Sequence, residues 1–341
     1  MRLACALTIA TALVASAALA DVPVPPPVAA VVDGRLTIGD AQLPIFVSRD
    51  WSQPLPEVHR VVIVVHGYER NAVDYARNMM GFGPPADTLV VAPQFLTPED
   101  IAAHHLPDAI LRWDREHWLD GEPAIAPAPL SAFDALDEIL ARLTDRAALP
   151  NHGQIVLAGF SAGGQVVQRY AALGKAEDAL PLRYVVGSPN TYAFFDDERP
   201  LPDGDLGPFP GAAECPNFNR WKYGLAGGLP PYALGTTRQG IASIEQRYIA
   251  RDVVYLVGAD DTNPNHRLLD KSCAGEAQGP TRFARMQAFV AAMKLRNGAA
   301  FRQRLWVIDG APHNEAKVFG SPCGRAVLFG DGNCSDPEVK E

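Results

Sequence analysis

Basic residues are scarce: 30 Lys and Arg stand against 39 Asp and Glu, a formal net charge of -9. Gripping a phosphate backbone takes a clustered basic surface, so nucleic-acid binding is excluded as the main task. Charge of either sign is sparse, at 20% of residues, while apolar residues reach 48%. A sizeable core can therefore be buried, and global disorder is excluded. Cysteine is also rare, five in 341 residues, and no C-x-x-C spacing occurs, which argues against a zinc site. Past the first twenty residues no apolar run approaches the ~20 residues of a membrane span, so stable membrane insertion is not expected. There is no internal repeat and no interior linker, and the length is compatible with one α/β domain. Proline (30) and glycine (29) are plentiful, which places much of the chain in turns and ordered loops.

Residues 1–20 have the form of a secretory signal. Arg2 precedes an apolar run over 3–14, and Ala18-Leu19-Ala20 offers small residues where a signal peptidase reads. Cleavage is expected before Asp21, giving an exported protein of 321 residues (341 − 20). Cys5 leaves with the signal, and Cys215, Cys273, Cys323 and Cys334 remain. An even number in an exported chain favours disulfides. Cys323 and Cys334 flank a short Gly-rich loop and are the expected local pair, leaving Cys215 for Cys273.

Residues 21–34 read as a stiff Pro-rich lead-in, followed by one domain over 35–341. Two alternating runs at 35–38 and 43–48 suggest an antiparallel edge pair. Wholly apolar, β-branched runs then recur at 61–65, 88–92, 154–158, 182–186, 253–257 and 305–308, as expected of strands buried on both faces of a parallel sheet. Helices are expected at 131–146, 165–173 and 281–294. The first opens on Ser131 and Asp134, a capping box with Asp in place of Glu. The alternation implies an eight-stranded, mostly parallel α/β sheet. Residues 190–250 interrupt it with a Pro/Gly-rich stretch carrying many aromatics, which is expected to be a binding element or lid.

The strongest chemical signal is Gly159-Phe160-Ser161-Ala162-Gly163, between the strand at 154–158 and a helix. In G-x-S-x-G the serine sits on a strained turn above the sheet, and the glycines let neighbouring backbone pass. A serine hydroxyl needs a base within reach and a third group to orient that base. Loops beyond the carboxyl ends of the last two strands offer Asp260 or Asp261 and then His313, in the order Ser, Asp, His. Asp261, further along its loop, is favoured, although either aspartate could simply cap a turn. Backbone N–H groups of Ala162 and of Tyr68, in the His66-Gly67-Tyr68 loop after the strand at 61–65, are the expected oxyanion donors. His66, Trp221 and Tyr223 are expected at the substrate. His59, His152 and His266 read as surface residues. His104, His105, Asp108, Asp114 and His117 do not make a convincing metal set, and no cofactor is called for.

On these motifs the chain resembles the α/β-hydrolase superfamily over nearly all of its mature length. The resemblance implies a nucleophile at Ser161, a general base at His313, an orienting acid at Asp261 and a lid between the sixth and seventh strands. The exported character, the paired cysteines and Asn219-Arg-Trp-Lys-Tyr-Gly224 are similar to secreted polyester depolymerases and feruloyl-esterase-type enzymes. One departure is Pro312-His313-Asn314, where an acidic or glycine neighbour is more usual. The expected activity is hydrolysis of a small or polymeric carboxylic ester. The same triad would also serve a secreted peptidase, and a binding protein could retain the machinery unused.

Overall fold

The computed structural model describes residues 25–175, 181–237, 240–332 and 334. The expected signal at 1–20 and the start of the lead-in lie outside them. The described part of the lead-in is strapped to the domain. Val28 N–H donates to Asp100 Oδ1 at 2.9 Å and Val32 N–H to Gln94 Oε1 at 3.0 Å, with both valines buried.

Among the described residues the main sheet has eight strands: β1 (Gly34–Ile38), β2 (Ala41–Val47), β3 (Arg60–Val65), β4 (Thr88–Pro93), β5 (Ile155–Phe160), β6 (Leu182–Gly187), β7 (Asp252–Gly258) and β8 (Arg304–Ile308). Their spatial order is β1-β2-β4-β3-β5-β6-β7-β8. β1 and β2 run antiparallel as an edge pair, and β2 is antiparallel to β4. The remaining pairs are parallel.

The period of two along each strand feeds two cores. Val61, Ile63 and Val65 of β3, with Ile155 and Leu157 of β5, face one layer. Val62, Val64, Val156 and Ala158 face the other. The first layer is covered by α2 (Ala132–Thr144), α3 (Ala162–Leu173) and α5 (Arg282–Asn297), through Phe133, Leu136, Val166, Tyr170, Met286 and Phe289. α1 (Ala72–Gly81) and a helix at Pro322–Phe329 cover the second. Strands buried on both faces cannot alternate apolar and polar residues, which is why they read as continuous apolar runs. The α2 capping box forms as expected: Asp134 N–H donates to Ser131 Oγ at 3.0 Å, and Ser131 N–H to Asp134 Oδ2 at 2.9 Å.

The stretch between β6 and β7 departs from the expectation of a substrate-facing aromatic loop. It holds a small hairpin, Glu198–Pro200 with Leu206–Pro208, and α4 (Ile241–Ala250). Tyr192, Phe194, Phe195 and Tyr232 are buried in the first core layer. Tyr192 stacks on Phe289 with ring centroids 4.6 Å apart. Arg199, fully buried, lies 4.1 Å from the Phe194 ring centroid. The stretch is largely a packed extension of the core. A disulfide joins its Cys215 to Cys273 beyond β7, and a second joins Cys323 to Cys334.

Candidate active site

The loops after β3, β5, β7 and β8 all leave the carboxyl edge of the parallel sheet, where such folds assemble their sites. Ser161 directly follows β5 and caps α3 at φ 57° and ψ -115°. A non-glycine residue held there costs on the order of 1–3 kcal/mol. Two glycines permit the turn. A Cβ on Gly159 would stand 2.3 Å from the Gly163 carbonyl oxygen, and one on Gly163 would stand 2.2 Å from that of Val65. Ser161 N–H donates to Gly187 O at 2.8 Å, which ties the turn to β6.

His313 Nε2 lies 3.0 Å from Ser161 Oγ, and His313 Nδ1 lies 2.7 Å from Asp261 Oδ2. In the loop after β7 the two aspartates are placed differently. Asp261 N–H turns back onto Gly258 O at 3.1 Å and its side chain is buried, whereas Asp260 is exposed. Burial holds the His313 imidazole below its usual range. The hydrogen bond to Asp261 opposes this shift, and the Arg282 guanidinium reinforces it. The imidazole is therefore neutral near pH 7, the state a general base would need. Arg282, also buried, stands 4.0 Å from Asp261 Oδ1. Nothing in the sequence marked it, because its position inside α5 carries no motif.

Two histidines expected at the surface are placed otherwise. His266 packs against His313 with centroids 5.3 Å apart and is pushed down to about 4 by burial and by the nearby Arg282 and His313 charges. His152 is buried, with Nδ1 2.9 Å from Leu149 O. His59 is exposed.

Tyr68 and Ala162 line one cavity together with Ser161. His66, expected at the substrate, lies beneath that surface instead and is fully buried. Its Nδ1 is 2.9 Å from Gly67 O, and its Nε2 accepts from Phe95 N–H at 2.9 Å, which specifies the Nδ1–H tautomer. Burial pushes it down to about 4. Its place at the end of a central strand suggested ligand contact; the same place instead makes it a brace under the Tyr68 loop. A second brace went unseen in the sequence. Arg70, at φ 57°, donates from Nε to Asp100 Oδ2 at 2.7 Å and from Nη2 to Asp100 Oδ1 at 2.9 Å. Both side chains are buried.

The cavity beside Ser161 measures about 400 Å³ and is lined by Ala162, Gln165, Glu116, Lys222, Tyr223 and Asp270, among others. Tyr223 lines this wall, its hydroxyl donating to Asp270 Oδ2 at 2.8 Å. Trp221 does not. It packs against the core behind the wall, and its Nε1–H donates to Asp120 O at 2.8 Å, because an indole buried on one side needs an acceptor for its single donor. Lys222 faces the cavity instead and pairs with Glu116 Oε2 at 2.6 Å. A second groove of about 320 Å³ opens on the other side of Ser161, where His266, His313 and Glu315 line it. Burial pushes Glu315 up to about 7, against the hydrogen bond from Asn78 Nδ2 at 2.8 Å. Among the described residues no group of three or more His, Cys, Asp or Glu is placed to hold a metal ion, and no helix is long and apolar enough to cross a membrane.

The strand order, the turn at Ser161 and the three loops that meet above the sheet define the α/β-hydrolase fold. Solved structures share it. Poly(aspartic acid) hydrolase-1 from Sphingomonas sp. KT-1 superposes with a TM-score of 0.60 at 17% identity, over 89% of this chain and 99% of that one. The poly(3-hydroxybutyrate) depolymerase LpqC from Bordetella parapertussis gives 0.57 at 22% identity, over 89% and 92%. No protein-family model and no curated protein matches the chain.

Proposed function

We propose that this protein is an exported serine hydrolase that cleaves carboxylic esters through an acyl-enzyme. The single observation that carries the reading is the continuous relay from Asp261 through His313 to Ser161, at 2.7 and 3.0 Å. Ser161 Oγ attacks the ester carbonyl while His313 Nε2 takes its proton, and Asp261 stabilises the imidazolium that forms. The tetrahedral oxyanion is met by the Ala162 and Tyr68 N–H groups. Collapse of the intermediate expels the alcohol, which takes the proton back from Nε2. Water then repeats the sequence on the acyl-serine and releases the acid.

The two cavities divide the substrate. The alcohol must leave past His313, so the groove lined by His313 and His266 takes the leaving group. The cavity lined by Ala162 and Gln165 takes the acyl group. The stretch after β6 supplies Lys222 and Tyr223 to the acyl wall in the manner of a lid. Two disulfides accord with export to an oxidising compartment.

A fluorophosphonate probe should label Ser161 in the parent and fail to label a folded Ser161→Ala variant, which should also lose 4-nitrophenyl ester turnover. Matched 4-nitroanilides should turn over far more slowly than the esters. An unlabelled, folded parent without ester turnover would overturn the reading.

A further inference from the structure

Ser161, Gln165 and Arg169 recur every fourth residue from the start of α3 and so share one face of the helix. Arg169 is fully buried and donates from Nη1 to Asp120 Oδ1 at 2.9 Å and to Leu119 O at 3.0 Å. Its Nη2 donates to Gln165 Oε1 at 3.0 Å, and Thr191 Oγ1 donates to the same oxygen at 2.8 Å. A guanidinium can only donate, so the atom facing it must be the amide oxygen, and the orientation of the Gln165 amide is unambiguous. Its NH2 group is therefore turned the other way, toward the acyl cavity that Gln165 lines beside Ser161 and Ala162.

Gln165 is only 6% exposed, and its Nε2 has no partner among the described residues. Several neighbouring polar groups on that wall are matched to one another: Lys222 with Glu116, Tyr223 with Asp270, and the Asn190 amide with Leu268 O. The Gln165 NH2 is a donor held rigidly by two buried partners, Arg169 and Thr191, a helical turn from the nucleophile. The donor opens to the cavity, and the space in front of it is where an acyl chain would lie.

We propose that Gln165 is a specificity-determining residue whose side-chain NH2 donates to an oxygen on the acyl part of the substrate, selecting oxygen-substituted acyl groups over plain alkyl ones. The inference rests on the ester-hydrolase reading above and refines it: the preferred acyl group carries an ether, hydroxyl or carbonyl oxygen within a few bonds of the scissile carbon.

The test compares kcat/KM for 4-nitrophenyl methoxyacetate and 4-nitrophenyl butyrate, whose acyl groups have the same number of heavy atoms and differ by O for CH2. The parent is measured beside Gln165→Glu, which keeps an oxygen for Arg169 and Thr191 but removes the donor, and Gln165→Met, which removes it without adding charge. Taking the ether/alkyl ratio cancels the esters' different intrinsic reactivities when parent and variant are compared. The ratio should fall roughly tenfold in both variants, the scale of one lost hydrogen bond. A folded Gln165→Met variant whose ratio stays within twofold of the parent overturns the proposal, even if Gln165→Glu shifts it, since repulsion by the new carboxylate would then be the cause. Should Gln165→Met not fold, an unchanged ratio in Gln165→Glu overturns it. A parent that hydrolyses neither ester and resists the fluorophosphonate overturns the underlying reading instead, and the inference with it.

Discussion

Replacing Asp261 by Asn tests the relay at its least accessible member. The substitution is nearly isosteric, so packing around the buried side chain is preserved, but two electrostatic roles are lost. The first is charge. As Ser161 gives up its proton, the imidazolium forms 2.7 Å from Asp261 Oδ2. With charge centres about 4 Å apart and an effective dielectric near 20, that attraction is worth about 4 kcal/mol, or nearly three powers of ten in rate at about 1.4 kcal/mol each. The second is tautomer. An Asn side chain can turn its NH2 toward Nδ1, which moves the ring proton to Nε2 and leaves no lone pair for Ser161; this adds up to another factor of ten. Arg282, 4.0 Å from the lost carboxylate, then stands unopposed and disfavours the imidazolium further. The expected loss in kcat/KM is about 10³- to 10⁴-fold, measured by 4-nitrophenolate release from protein whose near-ultraviolet circular dichroism matches the parent. Asp260→Asn, at an exposed position, should cost less than threefold. An Asp261→Asn enzyme retaining a tenth of the parent activity, or an Asp260→Asn enzyme losing more than it, refutes the assignment.

Three further outcomes are expected. Since His313 must be neutral to act as base and its ionisation is shifted below the usual histidine range, kcat/KM should rise with pH through a single ionisation below about 6.5 and then level off; an acid limb centred above 7 would contradict the burial argument. Asp100→Asn leaves the buried Arg70 guanidinium facing a neutral partner beneath the Tyr68 loop, so urea denaturation should show a loss of about 3–5 kcal/mol, and a loss under 1 kcal/mol would remove the brace from the account. Replacing Cys215 and Cys273 together by Ser frees a loop closed across a sequence separation of 58; chain entropy puts that near 4 kcal/mol, read as a lower urea midpoint, whereas an unchanged midpoint would mean that the stretch after β6 is held by its buried aromatics alone.

Much of the framework was legible because it depends on local chemistry. Runs such as 61–65 and 154–158 are apolar throughout since both faces of a parallel sheet are covered, and the Ser131–Asp134 capping box needs only three residues of spacing. Gly159 and Gly163 announce the turn at Ser161, because no side chain fits at either position. The helices Ala72–Gly81, Ile241–Ala250 and Pro322–Phe329 were not singled out. They are short, and the apolar face of each is completed only by the sheet or core it packs against.

The sequence by itself determined the α/β alternation, the strained serine, the order of candidate acid and base, and the cysteines available for pairing. Each follows from residue type and spacing along the chain. Only the tertiary structure decided which of two adjacent aspartates turns inward, since neighbouring loop residues point in different directions and nothing in their identity says which. It also moved His66 and Trp221 out of the cavity into supporting positions, and buried Tyr192, Phe194, Phe195 and Tyr232 of the stretch after β6. It brought forward Arg282 and the Arg70–Asp100 pair, whose partners lie tens of residues away, and the Gln165 amide, fixed by Arg169 one turn on and by Thr191 from the loop after β6. A buried polar group takes its role from what it faces, and what it faces is set by folding.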